Sequence, residues 1–308
     1  MTWIQAIALA LLQGVSELFP ISSLGHTVVV TSLLGWGQLE EGTSFLPFVV
    51  LLHVGTAAAL LTFFWWDWVR IVRALVVTAV AGRVDADPNG RLAWLVVAGT
   101  IPAGLIGLFL EQPLRSLFAS PAVAATFLIV NGGILLAGER LRRRAVVASG
   151  APALAGGGSI EVARPGKLLV SDGGANSEAA RRPLASMSLV EAVLVGLAQA
   201  LALVPGISRS GVTMVAGLLV GMSHEDSATF AFLLATPIIG AAGLLEVPQL
   251  FATAGATLPM ALVGGVVAGL AAYLSVRFLM GYFETGRLDP FGVYCLLAGV
   301  GSLALIVK

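Results

Sequence analysis

In the stretch "LLQGVSELFPISSLGHTVVV", residues 11–30, a Gln, a Glu, two adjacent serines and a His interrupt an otherwise apolar run. Gln13 and Glu17 are four apart, so they share one face of a helix and offer oxygen ligands to a hard divalent cation, Mg2+ or Ca2+. His26, about one turn into the next helix, can exchange a proton. Ser22 or Ser23 is suited to cap that helix. A second stretch, "VPGISRSGVT" at 204–213, has Ser208 in the equivalent place, followed by Arg209, Ser210 and Thr213. Two helix N-termini of this kind present unpaired N–H groups and the positive end of a dipole, which favour an anion, phosphate above all. Arg209 adds a planar fork of donors matched to phosphate oxygens, with the Ser208, Ser210 and Thr213 hydroxyls beside it.

A plainer reading makes Glu17 and Arg209 a structural ion pair and the serines no more than helix caps. Against it, an ionisable residue inside a membrane segment is costly and is a functional candidate by default. His53, in "LLHVGT", is read as a hydrogen-bonded helix-packing residue outside the catalytic set. His224, Glu225 and Asp226 are read as a solvated polar connection.

Composition fixes what must position these groups. Of 308 residues, 57% are hydrophobic and 11% charged, far from the soluble norm and typical of a membrane protein. Six apolar runs near the length of a bilayer crossing fall at 46–66, 91–111, 122–139, 229–246, 258–279 and 289–307. Two further stretches, 3–34 and 188–221, are broken at their middles by Pro, Ser and Gly. Overlaid at an offset of 186, they match Gln13 to Gln199, Ile21 to Ile207, Ser22 to Ser208 and Gly25 to Gly211. Three apolar crossings follow each broken stretch, the signature of an internal repeat. Gly25 and Gly211 are accordingly placed with Ser208, Ser210 and Thr213 in the substrate-binding set.

The expected fold is all-α and membrane-integral, built of two repeats, each a re-entrant broken-helix hairpin plus three transmembrane helices. The first repeat is 1–140 and the second 187–308. Between them, 141–186 is rich in Gly, Ala and Ser with scattered charges, and reads as a flexible loop. Basic residues crowd this connection ("ERLRRR", Arg164, Lys167, Arg181, Arg182), and others follow the first crossing (Arg70, Arg73, Arg83) or flank 280–289 (Arg277, Arg287). The positive-inside rule puts all of them in the cytoplasm only if both broken stretches are hairpins that return to the face they entered. The first hairpin then enters from outside and the second from the cytoplasm, so the repeat is inverted. Irregular backbone at membrane depth needs protein or a water-filled cavity around it, which brings the two tips together near the midplane.

These pieces resemble the bacterial undecaprenyl pyrophosphate phosphatases of the bacitracin-resistance type. "QGVSELFPISSLGH" is similar to that family's first signature, an E/Q-x-x-x-E pair followed by P-x-S-S-x-G-H, and "PGISRSGVT" to its second, P-G-x-S-R-S-x-x-T. The resemblance runs across nearly the whole chain, with about 145–186 extra. It implies an inner-membrane enzyme that removes the terminal phosphate of undecaprenyl diphosphate to restore the monophosphate carrier lipid of cell-wall synthesis, with the site opening to the extracytoplasmic side. By motif, Glu17, Ser22, Ser23, His26, Ser208, Arg209 and Thr213 become active-site residues. Gln13 holds the variable E/Q position, so a metal would have one carboxylate, a Gln carbonyl, water and phosphate oxygens.

The chemistry would be in-line phosphoryl transfer, with Arg209 and the helix N-termini stabilising the phosphoryl charge. Three nucleophiles stand open in order: Ser23 activated by His26 or Glu17, His26 itself, and a metal-bound water. The prenyl tail would lie against apolar helix faces between the halves. The competing reading is a lipid flippase or a secondary transporter for a phosphorylated substrate, since inverted repeats with broken helices also serve alternating access. The expected partners are the polyprenyl diphosphate and the bilayer, with homo-oligomerisation left open. Nucleic acid is excluded by zero net charge and the lack of a basic stripe.

Overall fold

Residues 1–36, 45–118, 120–148, 184–253 and 258–307 are described in a computed structural model, and among them there are helices and no strands. In chain order the helices are α1 (Trp3–Ser16), α2 (Ser23–Leu33), α3 (Phe45–Phe63), α4 (Trp65–Ala81), α5 (Gly90–Phe118), α6 (Pro121–Ala148), α7 (Leu189–Ala198), α8 (Arg209–Leu219), α9 (His224–Thr253), α10 (Leu258–Phe283) and α11 (Asp289–Ile306). Five of them, α5, α6, α9, α10 and α11, are long and apolar enough to cross a membrane. A sixth span exists if α3 and α4, bent by 81° at Phe64, are one broken crossing. The chain is thus a multi-pass helical membrane protein.

Helix ends depart from the hydropathy reading where propensity or capping outweighs apolarity. The expected 122–139 crossing continues to Ala148, because "ERLRRR" is made of good helix formers. Residues 141–148 of the expected connection are therefore helical, while 149–183 lie outside the described residues. α9 begins at His224 with Glu225 and Asp226 in its first turn, where negative charge suits the helix dipole. The segment 224–226 is therefore the first turn of a helix, not a connection, with Glu225 exposed. His224 is buried, and its Nε2 lies 2.7 Å from Oε2 of the fully buried Glu139, which also accepts the Leu288 N–H at 3.4 Å. That carboxylate ties the end of α6 to the starts of α9 and α11.

α4 was not legible as a separate helix. Its buried residues Asp67, Ile71, Ala74 and Thr78 recur at helical spacing, and Trp94 Nε1 of α5 donates to Thr78 Oγ1 at 3.0 Å. Arg70 and Arg73 thus sit on a helix, not in a loop.

The two broken stretches are short helix pairs. α1 and α2 have 14 and 11 residues; α7 has 10 and runs through a 3-10 turn at Gln199–Leu203 before α8, with 11. Each helix is too short to cross about 30 Å of hydrocarbon alone. α1 packs on α10 and α7 on α5, while α3 meets α9 and α6 meets α11. α9 is the inner helix: 67% of its apolar window is buried, against 17% for α11, so α11 is the more peripheral.

Candidate active site

The first tip is the turn from Glu17 to Ser22. Pro20 has no N–H to continue a helical ladder, and the chain restarts as α2 at Ser23. Ser22 is the N-cap: its Oγ accepts the Gly25 N–H at 3.3 Å. It is also the one non-glycine residue of positive φ among the described residues, at 71°. A side chain in that region costs of order 1–3 kcal/mol and persists only where surrounding contacts hold it. Here the Ser22 carbonyl accepts from the His26 backbone N–H at 3.2 Å and from His26 Nδ1 at 2.7 Å. The second tip is capped alike, Ser208 Oγ accepting the Gly211 N–H at 3.2 Å, but Ser208 keeps an ordinary extended conformation at φ −86°.

The tips meet. A Cβ on Gly25 would stand 2.7 Å from the Cα of Gly206, and Gly206 itself has φ of +100°, so both positions require glycine. Asn131 of α6, fully buried, bridges them: Nδ2 donates to the Pro20 carbonyl and Oδ1 accepts the Ser208 N–H, both at 3.0 Å. Ser210 Oγ donates to the Phe19 carbonyl at 3.2 Å, and Ser208 Oγ lies 3.4 Å from the same oxygen. Asn131 is the one amide in the run 122–139, and nothing in its local sequence marks it as part of the site.

Glu17 is the hub. One carboxylate oxygen, Oε1, is paired with Arg209 Nη2, the first residue of α8. The other, Oε2, accepts from Ser23 Oγ and from Gln13 Nε2, the latter at 3.0 Å. His53 Nε2 of α3 stands 3.5 Å from the same oxygen, with its Nδ1 donating to the Val49 carbonyl at 2.9 Å. His53 is therefore both the hydrogen-bonded packing residue expected and a neighbour of the site. Sequence pattern could not place it there, because it lies 36 residues from Glu17 in an unremarkable apolar run.

His26 is committed elsewhere. A carbonyl only accepts, so Nδ1 carries a proton toward Ser22, and in the neutral ring Nε2 is left to accept from Tyr294 Oη at 2.8 Å. The two rings stack with centroids 5.6 Å apart and planes 8° from parallel. Tyr294 comes from α11, and nothing in its local sequence marks it as part of the site. Neither His26 nitrogen is directed at Ser23, whereas Glu17 is bonded to it.

The structure brings Gln13, Glu17, Ser22, Ser23, Gly25, His26, Ser208, Arg209, Ser210 and Gly211 to the two tips. Three expected hydroxyl donors face protein: Ser208 and Ser210 face the Phe19 carbonyl, and Thr213 Oγ1 donates to the Arg209 carbonyl at 2.7 Å. Among the described residues no three His, Cys, Asp or Glu are grouped to hold a metal. Glu17 is the single carboxylate, and Gln13 turns its NH2 toward it, so a cation would need the amide reversed and most of its ligands from elsewhere.

By class the chain is a multi-pass helical membrane protein whose paired helix tips bring a carboxylate, a serine and an arginine together. The chain matches the family described as bacitracin resistance protein BacA over residues 6–301, and it belongs to that family. It is 47% identical to Undecaprenyl-diphosphatase 2 of Frankia alni, the match covering 97% of this chain and 96% of that one. It is 46% identical to Undecaprenyl-diphosphatase of Mycolicibacterium paratuberculosis, over 98% and 97% of the two chains. Undecaprenyl-diphosphatase of Acidiphilium cryptum is 46% identical over 99% of both.

Proposed function

We infer that the chain is an undecaprenyl-diphosphatase, hydrolysing the terminal phosphate of undecaprenyl diphosphate to give undecaprenyl phosphate and inorganic phosphate. The observation that carries the mechanism is the Ser23 hydroxyl donating to Glu17 Oε2 while Arg209 is paired with Oε1. Ser23 is the nucleophile: its Oγ forms a bond to the terminal phosphorus, the bond to the bridging oxygen breaks, and undecaprenyl phosphate leaves with that electron pair. The Ser23 proton goes to Glu17 Oε2. Water then adds to the phosphoserine, Glu17 returns its proton to Ser23 Oγ, and phosphate leaves as H2PO4− with both protons of the water. Arg209 and the N–H groups at the starts of α2 and α8 stabilise charge on the phosphoryl oxygens. His26 holds the Ser22 turn that presents Ser23.

Glu17 and the Gln13 amide oxygen would hold a divalent cation, Mg2+ or Ca2+, which when bound offsets diphosphate charge. The transporter reading uses the same tips but leaves the Ser23 to Glu17 bond without a task. Support for an inverted repeat comes from α2 and α8, which have equal lengths at an offset of 186, and from α1 packing on α10 as α7 packs on α5. In this proposal the protein sits in the bacterial inner membrane with its site open to the extracytoplasmic side. Cysteines placed at 160 and 250 in a Cys295→Ala background test the inverted repeat: labelling from opposite faces, 160 cytoplasmic, is expected, and labelling from one face excludes it. Rapid quench with substrate radiolabelled in its terminal phosphate tests the nucleophile. Label on the Ser23 peptide is expected; label on His26, or full turnover by Ser23→Ala, would remove Ser23 from that role.

A further inference from the structure

α3 has 19 residues, about 28 Å of helix, and packs along α10, so it can cross the hydrocarbon without help from its neighbour. α4, with 17 residues, is about 25 Å long. Set at 81° to α3, it advances only roughly 4 Å along the α3 axis. The helix thus runs across the direction of the spans, and at its end Gly82, with φ of +65°, caps it and turns the chain toward α5.

Four stripes run along α4, each at helical spacing and about 100° from the next. Asp67, Ile71, Ala74 and Thr78 are buried against the protein. Trp68 and Leu75, one position on, are half-buried against the main core. Trp65, Val69, Val72, Val76 and Val80 are exposed, Val80 by 85%. The fourth stripe holds Trp66, Arg70 and Arg73 and lies opposite Trp68 and Leu75. One flank is therefore basic and its neighbour apolar, the pattern of a helix lying in a membrane interface with acyl chains on one side and headgroups on the other. Trp65 and Trp66, 51% and 61% exposed, are indoles of the kind that settle at headgroup depth. Arg70 is held in place: its Nε donates to the Trp66 carbonyl at 3.2 Å, and its Nη2 stands 3.6 Å from Oδ1 of the buried Asp67. Its side chain still keeps 38% exposure, and Arg73 is exposed beside it. Arg83 adds little, since it pairs with the exposed Asp85 at 3.9 Å.

We propose that α4 lies in the membrane interface and that its Arg70 and Arg73 flank binds the headgroup of an anionic phospholipid. In the topology inferred above this is the cytoplasmic leaflet, whose negative surface attracts arginines close to the membrane. The proposal stands apart from the phosphatase reading and needs no turnover to test it. A second copy of the chain is the competing occupant of the apolar face. The charges disfavour it, because neither exposed stripe of α4 carries an acidic residue to meet the arginines of a mate.

Two measurements on the full chain in vesicles, in a Cys295→Ala background, test it. Nitroxides on Val69→Cys and Val80→Cys are separated by about 16 Å of helix. Their depths, read from collision with oxygen and with a water-soluble nickel complex, should agree within about 4 Å and fall at headgroup level if the helix is in plane. A depth difference near the full separation would mean that α4 crosses the bilayer and would overturn the proposal. The second measurement places a bimane on Val69→Cys in phosphatidylcholine vesicles doped with chain-brominated phosphatidylglycerol or chain-brominated phosphatidylcholine. Half-quenching should need at least about fivefold less of the anionic lipid. Arg70→Gln with Arg73→Gln should remove that preference, and the double Lys variant should keep most of it. Equal quenching by the two lipids, or a preference that survives the Gln pair, overturns the anionic-lipid site. Quenching by neither, with dipolar broadening between nitroxides of two copies, assigns the face to a second copy and overturns it as well.

Discussion

Replacing Arg209 by Lys keeps a positive charge at the start of α8, and most of the turnover should still be lost. The guanidinium presents five N–H donors in a fixed plane, and in the structure its partner is Glu17, reached through Nη2. The remaining donors can hold two phosphoryl oxygens while the carboxylate stays engaged. An ammonium is a compact charge with three donors on a flexible stem; bound to Glu17 it cannot also present a planar pair to phosphate. Losing a preorganised donor at a developing oxyanion costs about 2.7–4 kcal/mol, a hundred- to thousandfold in kcat. KM should change much less, because the fork tightens as charge spreads in the transition state. The assay is phosphate release by purified protein in detergent, with melting temperature recorded for the Lys and Ala variants. Near-normal kcat in Arg209→Lys together with a destabilised Arg209→Ala would refute the reasoning: Arg209 would then be only the structural partner of Glu17, whose loss leaves a buried charge unpaired at a cost of about 3–5 kcal/mol.

Ser23→Ala and Glu17→Gln should each lower kcat by roughly a thousandfold or more, and the double variant should be hardly worse than either, because the two act as one unit; additive losses would separate their roles. Chelation should reduce phosphate release by the wild type, and full activity in chelator would remove the cation from the proposal. Tyr294→Phe removes the hydroxyl on His26 Nε2 and should cost about 0.5–1.5 kcal/mol, up to roughly tenfold in kcat; unchanged kcat beside an inactive His26→Ala would detach Tyr294 from the function of His26. Asn131→Ala strands the buried Ser208 N–H, at about 1–3 kcal/mol, and leaves the Pro20 carbonyl only the long Cys295 Sγ contact at 4.0 Å, which thermal melting in detergent should register alongside a loss of kcat. A melting temperature within error of wild type would mean the tips do not need the bridge.

Polar residues at membrane depth stand out in sequence because burying them is expensive, and that made Glu17, Ser23, His26 and Arg209 visible before any fold was known. Their pairing was also within reach, since a lone buried carboxylate and a lone buried guanidinium nearly demand each other. What hydropathy could not show was chemistry supplied from distant, ordinary surroundings. His53 lies in an apolar helix, Tyr294 in the last one, and Asn131 alone among valines and leucines; each enters the site through tertiary packing that periodicity does not encode. The same limit explains α4. Its arginines suggested a connection, but Asp67, Ile71, Ala74 and Thr78 form a buried stripe only once α5 supplies the surface to bury it. His224 is hidden from sequence for a related reason: a short polar cluster reads as solvated until Glu139, 85 residues away, is brought against it.

The most direct test of the central claim is the release of inorganic phosphate and undecaprenyl phosphate from undecaprenyl diphosphate by the purified chain in detergent, where no membrane gradient or sidedness exists. The wild type should turn over repeatedly, and Ser23→Ala should fall to background with its fold intact by thermal melting. A folded wild type that binds the substrate and releases no phosphate, with or without added Mg2+ or Ca2+, would contradict the account.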